Sequence, residues 1–169
     1  MKIRPASRVN PHFGERFTIS WEFPSDFIMV VDTREQRPLF TKLPKGLIIV
    51  RDTLPAGDYS CRGFENSAAI ERKSIPDLIG CLGTDRDRFK AEMEKLSNYQ
   101  FKAVVVEGEV GDVVKWQDTS RLHPHSIWES IVSINVRFGV QFYYGKNKEE
   151  VERWVISHLL KFWRVRREG

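Results

Sequence analysis

At 169 residues the chain is long enough to bury one sizeable core and short for two domains. It is 41% hydrophobic and 30% charged, with no apolar run long enough to cross a bilayer, and its start, MKIRPASRVNPHFGERF, lacks the apolar core of a secretory signal. An intracellular protein is therefore expected, cytoplasmic or nucleoid-associated, or nuclear in a eukaryote. Two cysteines, Cys61 and Cys81, are too few for a disulfide framework or a zinc site of standard spacing, and a formal charge of +4 permits a polyanionic partner without demanding one.

Residues 1–26 mix Arg, Pro and aromatic residues without a period and predict an irregular arm, leaving 27–169 as the domain. Phe27-Ile28-Met29-Val30-Val31 is a continuous apolar run ending at Asp32-Thr33-Arg34-Glu35, the profile of a buried strand that delivers polar groups to a loop. Leu47 to Val50 is a second strand. Strands around Tyr59 and from Ala68 to Lys73 flank the hairpin connection Arg62-Gly63-Phe64-Glu65-Asn66, which sets Asp58 and Glu71 on neighbouring strands. Ser74, Pro76 and Asp77 then predict a capped helix start, with a stop near Gly80 to Gly83. A further helix runs from about Asp85 to Tyr99, with Phe89, Met93 and Leu96 on its apolar side, and Phe101 to Val106 returns as a buried strand.

In the final third, Ser126-x-x-Glu129 reads as a capping box for a helix carrying Ile127, Ile131, Ile134 and Phe138. Val140 to Tyr144 is a strand, and Asn147 caps a last helix whose apolar stripe comprises Val151, Trp154, Val155, His158, Leu159 and Phe162. That pattern puts Trp154 on the buried side, whereas Trp116 and Trp128 are candidates for exposure. Strands interleaved with helices predict an α/β fold with a mixed central sheet flanked by α-helices.

The chemistry concentrates in GDYSCRGFENSAAIERKSIPD, residues 57–77. Side chains on a strand alternate, so Glu71 and Lys73 share a face while Arg72 points to the other. Hydrolysing a phosphodiester needs an activated water and a way to stabilise the leaving oxyanion, and Mg²⁺ supplies both, with Mn²⁺ expected to substitute. Such hard cations require only one or two protein carboxylates, which makes Asp58 and Glu71 the first-choice ligands, with the Arg72 carbonyl as a further oxygen. Lys73 would orient the attacking water and offset transition-state charge. Asp32 and Glu35 could close the same acidic pocket, and Arg34 suits a phosphate with its fork of donors. Each residue also has a plainer role. Glu-Arg-Lys is a common solvated strand end, Asp58 follows a turn glycine, Asp77 caps a helix, and Asp32 to Glu35 can form a loop with an internal ion pair. His123 and His125 lack a third ligand nearby, which argues against zinc.

Val31-Asp32-Thr33-Arg34-Glu35, Gly57-Asp58-Tyr59 and Glu71-Arg72-Lys73-Ser74-Ile75-Pro76-Asp77 together resemble the nuclease domain of the XPF-type structure-specific endonucleases, whose signature is GD, a gap, ERK, three residues and D. The resemblance runs from about Ile28 to Phe162. It implies a restriction-endonuclease-like fold of the PD-(D/E)xK superfamily, metal binding by Asp32, Asp58 and Glu71, catalysis by Lys73, and support from Arg34, Glu35, Arg72 and Asp77. Family members often add a tandem helix-hairpin-helix module or a helicase; neither is expected in this chain, which leaves preference for flaps or forks open.

The resulting expectation is a divalent-metal-dependent DNA endonuclease, the alternatives being a catalytically idle DNA-binding or scaffolding subunit and a nuclease acting on RNA or unbranched duplex. Arg34, Arg37, Arg72, Arg86, Arg88 and Lys90 are the DNA-contact candidates, with ordinary solvation as their plainer role. The two C-terminal helices have apolar stripes wide enough either to cover the sheet or to form a homodimer or heteromeric interface.

Overall fold

The apolar run before Asp32 forms strand β1 (Ile28–Asp32), buried along nearly its whole length. The computed structural model describes residues 20–40, 42–115 and 122–168; most of the expected arm, residues 1–19, and Trp116 lie outside the described residues. The chain continues through β2 (Ile48–Asp52), β3 (Tyr59–Cys61), β4 (Ala68–Ser74), helices α1 (Ile75–Leu82) and α2 (Arg86–Ser97), β5 (Phe101–Glu107), α3 (Val110–Lys115), α4 (Pro124–Phe138), β6 (Gln141–Gly145) and α5 (Lys148–Arg167). The strands form one six-stranded sheet in the order β2-β1-β3-β4-β5-β6. It is mixed, as expected: β3 runs antiparallel to both neighbours, while β1 with β2, and β4 with β5 and β6, are parallel.

Strand alternation sorts the core into two layers. Met29, Val31, Tyr59, Cys61, Ala68, Ile70, Ala103 and Val105 pack against Val151, Val155 and Leu159 of α5. Ala69, Val104 and Val106 meet Leu78, Phe89, Met93 and Ile127 of α1, α2 and α4 on the opposite side. Each fully buried side chain of this size contributes roughly 1.5–3 kcal/mol of transfer free energy. The same alternation extends past the core: Glu71 and Lys73 continue the row begun by Ala69, and Arg72 the row of Ala68 and Ile70. Polar chemistry at the end of β4 is thereby split between the two faces. Both cysteines are buried, and burial pushes the Cys61 thiol up to about 12.

The short segment before β1 is part of this packing. Trp21 and Phe23 lie against the α5-side core, Trp21 Nε1 donates to Ser157 Oγ at 3.2 Å, and Phe23 stacks on Phe27.

Three features of the final half differ from the sequence expectation. The α4 helix begins at Pro124, not at the Ser126-x-x-Glu129 box. His123 is the N-cap, its Nδ1 accepting from the His125 N–H, and the Ser126 N–H already donates to the His123 carbonyl, which puts Ser126 inside the first turn. Proline at the first helical position needs no N–H partner, and that local advantage sets the start. Trp154 is 39% exposed rather than buried. It sits at the margin of the α5 stripe over the edge strand β6, where it stacks on Tyr143 and its indole N–H donates to the Tyr144 carbonyl. Helix α3 follows β5 without an apolar period of its own, so no sequence pattern announces it. Trp128 is exposed, as its position suggested. No described helix is long and apolar enough to cross a membrane.

Candidate active site

Gly57 is where the GD motif acquires its physical meaning. Its φ is +74°, a left-handed conformation, and a Cβ placed there would lie 3.0 Å from the Ile70 carbonyl oxygen. Only glycine lets β3 enter so close to β4. Asp58 then donates its N–H to the Ile70 carbonyl, and Tyr59 pairs with Ile70, so the Asp58 carboxylate arrives beside Glu71. Gly57→Ala is expected to destabilise the fold by about 1–3 kcal/mol through backbone strain and displacement of β4. A lowered urea midpoint with unchanged m-value checks it.

Asp32, Arg34, Asp58 and Glu71 line one cavity of about 250 Å³, closed by the Pro55–Gly57 turn and by Glu92, Lys95 and Leu96 of α2. The structure therefore brings together four of the predicted residues from three separate stretches of chain. Asp58 Oδ2 accepts the Arg72 N–H at 2.8 Å, and its other oxygen accepts no hydrogen bond among the described residues. Burial, reinforced by the negative charge of Glu71, raises the Asp58 pKa to about 7. Glu71 Oε1 accepts from Lys73 Nζ at 2.6 Å, and its Oε2 accepts no hydrogen bond among the described residues. Burial raises the Glu71 pKa, with Lys73 opposing. Burial works against the Lys73 ammonium too, but the charge and hydrogen bond of Glu71 outweigh it and raise its pKa, so Lys73 stays protonated.

Asp32 is held differently. Its Oδ1 accepts from the Arg34 N–H and from Arg34 Nε, and its Oδ2 from Arg34 Nη2 and from the Leu54 N–H, all at 2.7–2.9 Å. The Arg34 hydrogen bonds, with burial opposing, lower its pKa to about 2. Both carboxylate oxygens are thus engaged, and among the described residues no three His, Cys, Asp or Glu side chains come together as a preformed metal cage. Arg34 itself is 67% exposed at the cavity rim.

The other face of β4 collects different residues. Arg72 Nη2 pairs with Glu107 at 2.5 Å, Nη1 donates to the Arg37 carbonyl at 3.1 Å, and Nη1 lies 3.8 Å from Glu35. Its Nε is the one buried side-chain nitrogen or oxygen without a hydrogen-bond partner among the described residues. Glu35 also accepts the Arg37 N–H, so it braces Arg72 and does not line the acidic cavity. Asp77 accepts from Ser74 Oγ while donating its own N–H back, a helix cap outside the cavity. Arg86 and Lys90 line a separate groove between α2 and α4, and Arg88 pairs with Asp85 in solvent.

Sequence reading missed three contributors. Glu92 and Lys95 reach the cavity from α2, and Glu92 Oε2 stands 3.9 Å from Lys73 Nζ. Their signal was faint: both border the Phe89–Met93–Leu96 stripe, where a helix turns its edge toward the sheet. Arg51, on the edge strand β2, donates from Nη2 to the carbonyls of Asp32, Thr33 and Glu35 and so fixes the loop that carries Arg34. Nothing in its own segment marks it, because its partners are 16–19 residues away.

The family model of the ERCC4 domain matches residues 31–157, which include every residue of this cavity. The chain belongs to the ERCC4 domain family. This ERCC4 domain is 27% identical over 122 residues to the 3'-flap repair endonuclease Xpf of Saccharolobus solfataricus, covering 70% of this chain and 48% of that protein. The chain thus spans about half the length of that relative. A Methanocaldococcus jannaschii protein named as an ATP-dependent RNA helicase is 29% identical over 129 residues, 76% of this chain and 15% of its own length. Among solved structures, XPF from Aeropyrum pernix in complex with DNA superposes with a TM-score of 0.62 at 22% identity, covering 81% of this chain and 64% of that one. The same protein without DNA gives 0.62 at 21% identity, covering 78% and 59%. At that identity the likeness concerns the fold, and the ERCC4 domain here is an XPF-type nuclease domain with the restriction-endonuclease-like architecture.

Proposed function

We propose that this ERCC4 domain is a divalent-metal-dependent endonuclease that hydrolyses phosphodiester bonds of DNA, with branched DNA, flap or fork, as its preferred substrate. The observation that carries the reading is the pair of uncommitted carboxylate oxygens, one on Asp58 and one on Glu71, lining a single open cavity with a protonated lysine alongside. Two partly buried acids side by side, the charge of Glu71 raising the proton affinity of Asp58, suit a hard divalent cation, which needs few protein oxygens and keeps several waters. Mg²⁺ is the expected ion, with Mn²⁺ able to replace it. When bound, it would supply Lewis-acid stabilisation of the leaving oxygen and a more acidic water.

Asp58 and Glu71 are the proposed ligands. Asp32 joins them once Arg34 releases its carboxylate for a substrate phosphate, an exchange that the exposed guanidinium allows. Lys73 holds positive charge beside the reacting phosphate and orients water, donating through Nζ. Arg72, Glu35 and Asp77 act from outside the cavity, by fixing the backbone of β4 and the start of α1. The name of the Saccharolobus relative and the DNA-bound Aeropyrum structure support DNA, and the former supports a flap.

The idle-subunit reading has one observation in its favour, the full engagement of both Asp32 oxygens by Arg34 and Leu54. A partner surface is also proposed: Trp128, Val132 and Val136 form an exposed stripe on α4, suited to a second copy of the chain or a heteromeric subunit. Incubating the protein with labelled single-stranded, duplex, flap and fork DNA in Mg²⁺, Mn²⁺ or chelator separates the readings. The nuclease reading expects cutting that needs the cation and is fastest on flap or fork. Cutting in chelator overturns the metal mechanism, and no cutting on any substrate favours the idle subunit.

A further inference from the structure

Helix α2 separates two cavities. Glu92, Lys95 and Leu96 face the acidic site, whereas Arg86, Asp87 and Lys90 face a groove of about 280 Å³ shared with α4. At 100° per residue these two sets lie on opposite sides of the helix. Across the groove stand Ser133 and Arg137 of α4, over a floor that includes Ile134 and Phe138. Arg137 is absent from every motif of the chain and closes the groove only because α4 packs on α2.

The charges in this groove are unbalanced. Three cations, Arg86, Lys90 and Arg137, face one carboxylate, Asp87. Lys90 has a distant partner in Glu94 at 4.0 Å, while the guanidinium groups of Arg86 and Arg137 have no hydrogen bond or ion pair among the described residues. Two guanidiniums without partners, lining one groove together with Ser130 and Ser133, are a donor set for a phosphate.

Building on the nuclease reading, we propose that this groove is a second phosphate-binding site, which takes the DNA backbone beyond the cut. Six residues of helical rise and one helix diameter set it roughly 14 Å from the acidic cavity, the rise of about four base pairs. A strand bound in both places crosses α2, with the scissile phosphate on the Glu92 side and an uncut phosphate on the Arg137 side. The groove reads backbone and not base, so it adds affinity and register on any sequence.

The test measures binding rather than cutting: anisotropy of labelled duplex and flap DNA in chelator, over a range of salt. For the double variant Arg86→Gln/Arg137→Gln the affinity should fall about tenfold per cation at about 0.1 M salt, and the slope of log affinity on log salt should flatten by about 0.9 per lost contact. Ser133→Glu, which leaves both arginines in place and adds a negative charge to the groove, should give a similar loss; Arg153→Gln, on α5 and paired with Glu149, should give none. Thermal melts establish that each variant is folded. Unchanged affinity and slope in both groove variants overturn the proposal, even if the protein cuts DNA normally. A wild-type protein that never cuts, yet loses affinity and slope on these substitutions, overturns the nuclease reading and keeps the groove.

Discussion

Asp58→Asn is expected to reduce DNA cutting by at least about 10³-fold while making the metal-free protein more stable at pH 8. The two effects have one cause. Asp58 carries its charge in a partly buried position next to Glu71, and desolvation with the charge of Glu71 raises its pKa from an ordinary 3.8 to about 7. The folded protein therefore keeps a proton, between about pH 4 and 7, that the unfolded chain has already released. Stability falls as pH climbs through that window and levels off above it. Asparagine removes the partly buried charge along with the proposed metal-binding oxygen, so the wild-type decline should flatten in the variant. Urea unfolding in chelator at pH 5 and pH 8 measures the first effect, and single-turnover cleavage measures the second. Substantial residual cutting, or a variant that loses stability at pH 8, contradicts this account of the site. Excess Mg²⁺ should raise the melting temperature of the wild type, since the proposed site exists only in the folded cavity, and should do so far less in the variant.

Asp32→Ala should be the most destabilising change among the motif residues, by about 3 kcal/mol or more. Asp32 is 2% exposed and accepts hydrogen bonds from Arg34 and from the N–H of Leu54, itself 1% exposed. Alanine leaves that buried N–H without its partner and frees the loop that presents Arg34. The pH sign is opposite to that of Asp58. Its pKa is depressed from 3.8 to about 2 by the hydrogen bonds of Arg34, so the stabilisation is fully present above about pH 4 and disappears as pH falls toward 2. Because Arg34 is 67% exposed and water screens the pair, this pH-dependent part is on the order of 1–2 kcal/mol. A denaturation series from pH 6 down to pH 2 should show the wild type losing that increment and Asp32→Ala lacking it throughout. A variant within 0.5 kcal/mol of wild type, roughly the range of a neutral surface change, contradicts the structural role of Asp32.

Most of the elements were legible because their signals are local. The apolar run before Asp32, the Ser74 and Asn147 caps and the Phe89–Met93–Leu96 stripe each follow from a few neighbouring residues, and each appears in the structure close to where the pattern put it. Errors arose where two local signals competed or where an edge intervened. Pro124 with His123 prevailed over the Ser126 box, and Trp154 met solvent because among the described residues β6 has no strand beyond it in the sheet.

The candidate site divides in the same way. The strand period alone determines that Glu71 and Lys73 share a face and that Arg72 leaves it, and the hairpin connection sets Asp58 after a turn glycine on the strand beside Glu71. Those relations span at most a hairpin. Tertiary structure alone decided that Asp32 spends both oxygens on Arg34 and Leu54, that Glu35 braces Arg72 and not the cavity, that Glu92 and Lys95 enter from α2, and that Arg137 faces Arg86 across a groove. Each depends on side chains whose meeting is set by sheet order and helix packing, over separations for which a periodic pattern carries no information.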